Sequence, residues 1–323
     1  MKKVTLLLVL ALALCFTFSA SQAAADQKFL RMASGPEGGS WYPLGSAMMS
    51  ILERELGIST SNGPGGGVGN CKVVGAGRMD LGWSYTHTTY NAYNGLSEFD
   101  GKKLEDVRHL MSLYPGVFQT VVPEKSDIKS YADLKDKHIV PGKTGFTGTA
   151  IAELILKAYG LTFDSIRQAG GKVSFVGYAD SAALMKDGHS HAYMAVTSCP
   201  QATIIDLEFR PGVRFLAVEP EYQKKVQELE PGLTPIMIPK EAYKSLDEDV
   251  PTMGTVTNII ISKNVSDDLA YKIVKTLYAH WDELKQVKKQ AIEESDPKKA
   301  LLGNNIPVHP GALKYYREIG IAD

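Results

Sequence analysis

One stretch limits the possible folds more than any other: Met32-Ala33-Ser34-Gly35-Pro36-Glu37-Gly38-Gly39-Ser40-Trp41-Tyr42-Pro43-Leu44-Gly45-Ser46-Ala47. Phe29 to Ala33 is apolar and reads as a buried strand. A glycine-rich turn follows. From Ser40 onward, Leu44, Ala47, Met48, Ile51, Leu52 and Leu56 recur at helical spacing. Ser40 is a good N-cap, and Pro43 suits a first helical turn. The order is therefore strand, tight turn, helix start. Free backbone N–H groups and the positive end of the helix dipole point out of such a turn, a setting for a carboxylate or phosphate. An ordinary strand-to-helix connection carries the same residues, so the turn alone leaves both readings open.

The same order returns in the second half. His138-Ile139-Val140-Pro141 reads as a strand and runs into Gly142-Lys143-Thr144-Gly145-Phe146-Thr147-Gly148-Thr149. A helix is expected from Ala150 to Tyr159, with Ile151, Leu154, Ile155 and Ala158 on one face. Two such units, one in each half of the chain, imply an α/β protein of two lobes facing one cleft. Between them, Asn62 to Asn70 is a glycine-rich loop without the lysine and hydroxyl residue of a phosphate loop. Cys71 to Ala76 is expected to be a short helix, Asp80 to Tyr85 a strand and Thr86 to Tyr93 a helix. Leu110 to Val122 reads as a strand interrupted at Pro115-Gly116. Further on, Val173-Ser174-Phe175, a helix from Tyr178 to Lys186 and a strand from Ala192 to Val196 form another unit, with Thr197-Ser198-Cys199-Pro200 opening the next helix. Pro231 to Pro251 reads as irregular, Thr255 to Ser262 as a strand, and Asp267 to Lys285 and Gly311 to Glu318 as helices.

The start of the chain is set apart from this pattern. Lys2-Lys3 is a basic n-region, Val4 to Phe18 an apolar run short for a membrane span, and Ser21-Gln22-Ala23-Ala24-Ala25 offers small residues for cleavage. Residues 1–25 are expected to be a secretory signal peptide, which places the mature protein in the periplasm. Leu14 is too large for a lipoprotein site at Cys15. Of the 35 basic residues, 33 remain without Lys2 and Lys3, against 36 acidic ones, a balance that suits neither nucleic acid nor an anionic membrane surface. Cys71 and Cys199 are the remaining cysteines; they show no zinc spacing and are expected to be buried, unpaired thiols.

No catalytic constellation stands out, no cofactor is expected, and the protein is read as a binding protein and not an enzyme. His87, His109, His138, His189, His191, His280 and His309 are scattered. His189-Ser190-His191 would need further ligands before it could hold a metal. A rival reading, a periplasmic enzyme, would draw its acid or base from His87 or His191. Neutral hydrogen-bonding groups instead gather on the glycine turns: Ser34, Ser40, Tyr42, Asn70, Thr147, Thr149, Thr197 and Ser198, with Trp41 and Tyr85 as aromatic walls. Donors of this kind beside aromatic surfaces fit a small polar ligand. Arg31, Arg78 and Lys143 are read as surface charge.

These motifs resemble a known family. Gly38-Gly39-Ser40-Trp41-Tyr42-Pro43-Leu44-Gly45 is similar to the Gly-Gly-Thr-Tyr-Tyr-Pro-hydrophobe-Gly signature of the TAXI family of TRAP-transporter solute receptors. Gly67-Val68-Gly69-Asn70 resembles its Ser-Val-Ala-Asn loop. Arg78 to Gly82, Tyr90 to Gly95, Gly145 to Thr149, Leu184 to Gly188, Asp247 to Thr252 and Ile306 to Ala312 follow in the family's order. The resemblance implies a monomeric periplasmic binding protein of the type II kind. Each lobe would be a mixed sheet flanked by helices, with the ligand cleft between the lobes. It also implies docking of the loaded receptor on a TRAP permease, and small acids such as glutamate as ligands. Carried over by position, Ser40, Trp41, Tyr42 and Asn70 would contact ligand from one lobe and Thr147, Gly148 and Thr149 from the other, with Thr197 and Ser198 nearby.

The chain departs from the pattern where relatives carry Gln-Ser-Asp and it carries Tyr85-Thr86-His87. Tyr243-Lys244-Ser245 stands where Tyr-Pro-Gly is usual. Glutamate is therefore not assigned; Tyr85 and His87 suit a bulkier, flatter or more apolar acid. Residues 26–117 with 253–323 are expected to form lobe I, and 118–252 lobe II. A sensor or an ATP-driven (ABC-type) transporter's receptor would use the same fold.

Overall fold

The structure, a computed structural model, describes residues 29–323, so the leader expected at 1–25 lies outside the described residues. In chain order, β1 (Phe29–Ala33), α1 (Trp41–Leu56), β2 (Ser59–Gly63), α2 (Gly67–Gly75), β3 (Leu81–Tyr85) and α3 (Thr86–Asn94) alternate. The middle of the chain holds β4 (Val107–Pro123), β5 (His138–Val140), α4 (Thr147–Ala158), α5 (Phe163–Gln168), β6 (Lys172–Val173), α6 (Tyr178–Lys186) and β7 (Ala192–Thr197). It continues through α7 (Ala202–Phe209), β8 (Val213–Phe215), α8 (Pro220–Leu229) and β9 (Thr234–Ile238). β10 (Val250–Ser262), α9 (Asp267–Ala279), α10 (Trp281–Val287), α11 (Lys289–Glu293) and α12 (Pro310–Glu318) complete it. Among the described residues no helix is long and apolar enough to cross a membrane.

The strands order as β2-β1-β3-β10-β4-β7-β5-β6, with β8 on β4 and β9 on β10. β1 runs parallel to β2 and β3, and β5 parallel to β6 and β7. Two parallel clusters thus flank an antiparallel centre made by β4 and β10. The early part of β4 pairs with β10, from Val107↔Ser262 to Val117↔Gly254. Its later part pairs with β7, from Val117↔Thr197 to Val121↔Tyr193. The C-terminal helix α12 returns to the centre of the sheet, where Tyr316 donates to the Leu110 carbonyl of β4 at 2.6 Å. Helices start at the carboxyl ends of β1, β2, β3 and β5, the side of such sheets where ligands bind.

Several expectations need correction. β4 is continuous: Pro115 and Gly116 stay in the ladder opposite Val256 and Thr255, and a register shift between Val256 and Asn258 absorbs the irregularity. A β-carbon at Gly116 would stand 3.0 Å from Tyr85 Cδ1, so glycine there makes room for a ring and does not end a strand. α2 begins at Gly67, inside the stretch read as loop, because tertiary docking outweighs the poor helix propensity of glycine. α4 begins at Thr147, three residues early. Thr197 to Pro200 does not open a helix; α7 begins at Ala202. The helix expected over 267–285 is broken at His280 (φ −112°, ψ 25°), where Trp281 packs against Tyr278 with ring centroids 5.8 Å apart. Pro231 to Pro251 contains β9, an outer strand in which Pro235 is tolerated. The two cysteines are buried and free, as expected.

Helix α12 lies so close on α9 that a β-carbon at Gly311 would stand 2.8 Å from the Asp267 carbonyl carbon and 2.9 Å from the Tyr271 nitrogen. Backbone cannot yield there as a side chain can. Gly311→Ala is expected to cost about 1–3 kcal/mol of stability, read from urea unfolding.

Candidate functional site

The turn after β1 delivers Ser40 to the start of α1. Ser40 occupies the N-cap position, yet its hydroxyl makes no cap hydrogen bond. It lies 2.8 Å from the Tyr114 hydroxyl and 3.4 Å from Thr197 Oγ1. The start of α2, at Gly66 and Gly67, and that of α4, at Phe146 and Thr147, also lack a side-chain cap. None of the three helices has an acidic residue in its first turn. All three starts meet at one small cavity of about 20 Å³, which Trp41, Tyr85, Tyr178, Val196 and Thr197 also line. The backbone N–H groups at a helix start have no intrahelical acceptor, and the dipole adds partial positive charge. No arginine, lysine, aspartate or glutamate lines this cavity.

Aromatic rings frame it. Trp41 lies 4.7 Å from Tyr85 between ring centroids, and Phe146 meets Tyr178 edge-on at 5.5 Å. The hydroxyls of Tyr85 and Tyr178 both donate to the Val196 carbonyl, at 3.1 and 3.2 Å. Burial pushes both phenols up from their ordinary range, so they stay protonated donors. Trp41 is only 6 % exposed and its indole N–H has no partner.

The residues singled out from sequence divide into two groups. Ser40, Trp41, Tyr85, Thr147, Gly148 and Thr197 line the one cavity. The others lie apart from it. Ser34 is fully buried, its hydroxyl unpartnered, beside the α-carbon of Gly45. Tyr42 offers its carbonyl to Asn62 at 3.2 Å. Asn70 is a clasp: its amide donates to the carbonyls of Ala33, Ser34 and Trp83, and its Oδ1 accepts from Gly66 N. Thr149 Oγ1 turns back to the carbonyls of Pro141 and Lys143. Ser198 is buried behind Thr197, its carbonyl accepting from Gln119. His87 lines a separate cavity of about 950 Å³ with Glu230 and Thr255. Arg31 is committed to Asp80 at 3.0 Å.

Phe146, Tyr178, Tyr114 and the Val196 carbonyl escaped the sequence reading. Phe146 stood inside a quoted turn, and its place just before Thr147 was the available signal. The aromatics Tyr114 and Tyr178 carry no local pattern, because long-range folding alone brings Tyr178 to the cavity and Tyr114 to the Ser40 hydroxyl behind it.

Burial holds two thiols and one imidazole neutral. Burial pushes the thiols of Cys71 and Cys199 up to about 12, away from the reactive thiolate. The His87 ring nitrogens sit 2.7 Å from Thr255 Oγ1 and 3.1 Å from Thr88 Oγ1, and burial pushes the imidazole down to about 3. His191 lies on the surface, where its Nδ1 accepts from the His138 amide at 3.1 Å. Among the described residues no group of three or more His, Cys, Asp or Glu is suited to hold a metal.

The model of the NMT1-like family matches residues 32–320. Among solved structures, the chain is similar to ArtJ from the thermophilic bacterium Geobacillus stearothermophilus, an arginine-, lysine-, histidine-binding protein. That match has 11% identity over 85% of this chain and 98% of that one, with a TM-score of 0.50. It is also similar to the alkanesulfonate-binding protein SsuA from Xanthomonas axonopodis pv. citri bound to MOPS, at 15% identity over 85% and 86% of the chains and a TM-score of 0.48. The fold is the two-lobe α/β fold of periplasmic binding proteins.

Buried His109, pushed down to about 4, adds to His87 in setting the acid stability. In the unfolded chain an imidazole takes up its proton near pH 6.5, roughly. Between there and the folded values the unfolded state binds more protons, so stability is complete above about pH 6.5 and falls with acid. The slope is about 1.4 kcal/mol per pH unit for each histidine. Urea unfolding between pH 6.5 and 5 is expected to show it, and His87→Gln to remove about one histidine's share. An unchanged slope would count against a neutral buried imidazole.

Proposed function

The chain belongs to the NMT1-like family, and we propose that it is an extracytoplasmic solute-binding receptor. It captures a small organic anion, an amino acid or organic acid, in the cleft and hands it to a membrane permease. The observation that supports this most is the meeting of three uncapped helix starts at one cavity without a charged side chain. A carboxylate fits there because dipoles and N–H groups can hold it without a dedicated arginine. The proposed activity is binding without turnover; no imidazole, carboxylate, amine or thiol side chain lines this cavity.

In this reading residues 26–117 and 253–323 form lobe I, residues 118–252 form lobe II, and β4 and β10 carry the hinge. Contacts across the gap favour a closing motion. Gly69 N donates to the Gly145 carbonyl at 3.1 Å, Thr88 and Thr147 hydroxyls lie 3.2 Å apart, and Asn91 donates to Glu230 at 2.7 Å. The shut cavity holds about one or two water-sized groups. A ligand must therefore enter with the lobes apart. Ser40, Trp41, Tyr85, Thr147, Gly148 and Thr197 are the proposed contacts; Ser34, Tyr42, Asn70, Thr149 and Ser198 support them from behind, and His87 stands at the far side. The permease is proposed to be of the TRAP type on the strength of the motif series from Gly38 to Ala312, and the leader at 1–25 would export the protein as a monomer. Co-purification of the receptor with its membrane partner separates this from an ATP-driven system.

A β-carbon at Gly66 would stand 2.9 Å from the Gly145 carbonyl oxygen and 3.1 Å from Phe146 Cα, across the closing surface. The extended backbone of Gly66 (φ −165°) accepts alanine without strain. Small carboxylates are expected to raise the melting temperature while amines of equal size do not. Gly66→Ala is expected to weaken carboxylate binding by about tenfold, about 1.4 kcal/mol. Stabilisation by amines in place of acids would overturn the reading.

A further inference from the structure

Beyond the small cavity lies a second, larger cleft of about 620 Å³. Pro36, Gly66, Phe146 and Tyr178 belong to the walls of both. Of the four, Phe146 is the one whose ring can move without moving backbone. Proline and glycine have no such freedom, and the Tyr178 hydroxyl is tied to Val196. The Phe146 ring fills the place a side chain would take at Gly66, lies 3.4 Å from where one would start at Gly142, and meets Tyr178 edge-on. It carries no hydrogen bond that would hold it there.

The two spaces differ in chemistry as well as size. The inner one offers three helix starts and no charged side chain, and has room for little more than a carboxylate. The outer one carries an apolar strip of Val73, Met79, Phe175 and Val176 beside the polar Asn70 and Thr144, with the charges of Glu37, Lys143 and Asp180 at exposed positions. We propose that Phe146 is the specificity-determining residue of this receptor: its ring divides a head-group chamber from an apolar outer chamber and selects acids by the length of the chain behind the carboxylate. This rests on the reading of the inner cavity as an anion site. The ligand class is then a monocarboxylate whose apolar body must pass the Phe146 ring. Each methylene that reaches an apolar wall adds roughly fourfold in affinity, and the ring in place denies that gain to longer chains.

The test is a length series of straight-chain monocarboxylates, acetate to octanoate, titrated by calorimetry into the wild-type protein and three variants. Phe146→Ala joins the two chambers and is expected to raise the affinity for octanoate relative to acetate at least tenfold. Phe146→Leu is expected to give an intermediate change and guards against a folding defect in the alanine variant. Phe146→Trp, which enlarges the partition, is expected to move the preference toward shorter acids. A length profile that stays the same within twofold in all variants, with acid binding retained, would overturn the role of Phe146 and leave the anion site standing. Failure of every acid to bind the wild-type protein would overturn the anion site and this proposal with it.

Discussion

Two long antiparallel strands carry everything else. β4 and β10 pair along most of their length and then part, each taking different neighbours: β4 adds β7 and β8, and β10 adds β3 and β9. Each parallel cluster therefore hangs from a strand that also belongs to the other. The connections at the carboxyl ends of the parallel strands are brought face to face across the same gap. The strength of the pairing comes from apolar burial on both faces, with Met111, Tyr114, Phe118, Ile259 and Ile261 all essentially out of solvent. With the strands fixed, the helix starts have little choice of where to point.

Much of this could be read from residues. The run from Gly38 to Leu44 gave a turn and a helix start, because glycine, serine and proline have narrow conformational meanings. The apolar periodicity of α1 and α4 survived into the fold almost unchanged. Other parts were illegible for definite physical reasons. Gly67 begins a helix although glycine disfavours one, since contacts across the gap decide its conformation and not its propensity. β9 carries a proline and faces outward, so neither composition nor alternation marks it. The break at His280 follows from how Trp281 packs and leaves no glycine or proline as a sign.

The site shows the same division. Hydroxyl residues on glycine turns were visible, but which of them face the cavity was not. Ser40 and Thr147 turn toward it, whereas Thr149, two residues on, turns back to its own loop. Asn70 resembles a ligand contact by position in the chain, and four backbone partners claim its amide group. Its work is to keep the ends of β1 and β3 and the start of α2 in register, which is what lets two helix dipoles act at one point. The absence of formal charge at the cavity has a related effect. In the proposed anion site, partial charges spread over several peptide groups would act at short range and leave no buried cation to be stranded on release.

The Val196 carbonyl gives the shut arrangement an unusual economy. It accepts from Tyr85 on one side of the gap and from Tyr178 on the other, so both of its lone pairs are engaged. In the proposed receptor, a widening of the gap would leave Tyr178 its bond and exchange that of Tyr85 for one to water. The exchange is close to neutral in free energy, because a protein hydrogen bond replaces one to solvent. In the proposed receptor, open and shut forms joined by such exchanges would differ by little, and a ligand of modest affinity would be enough to shift the population from one to the other.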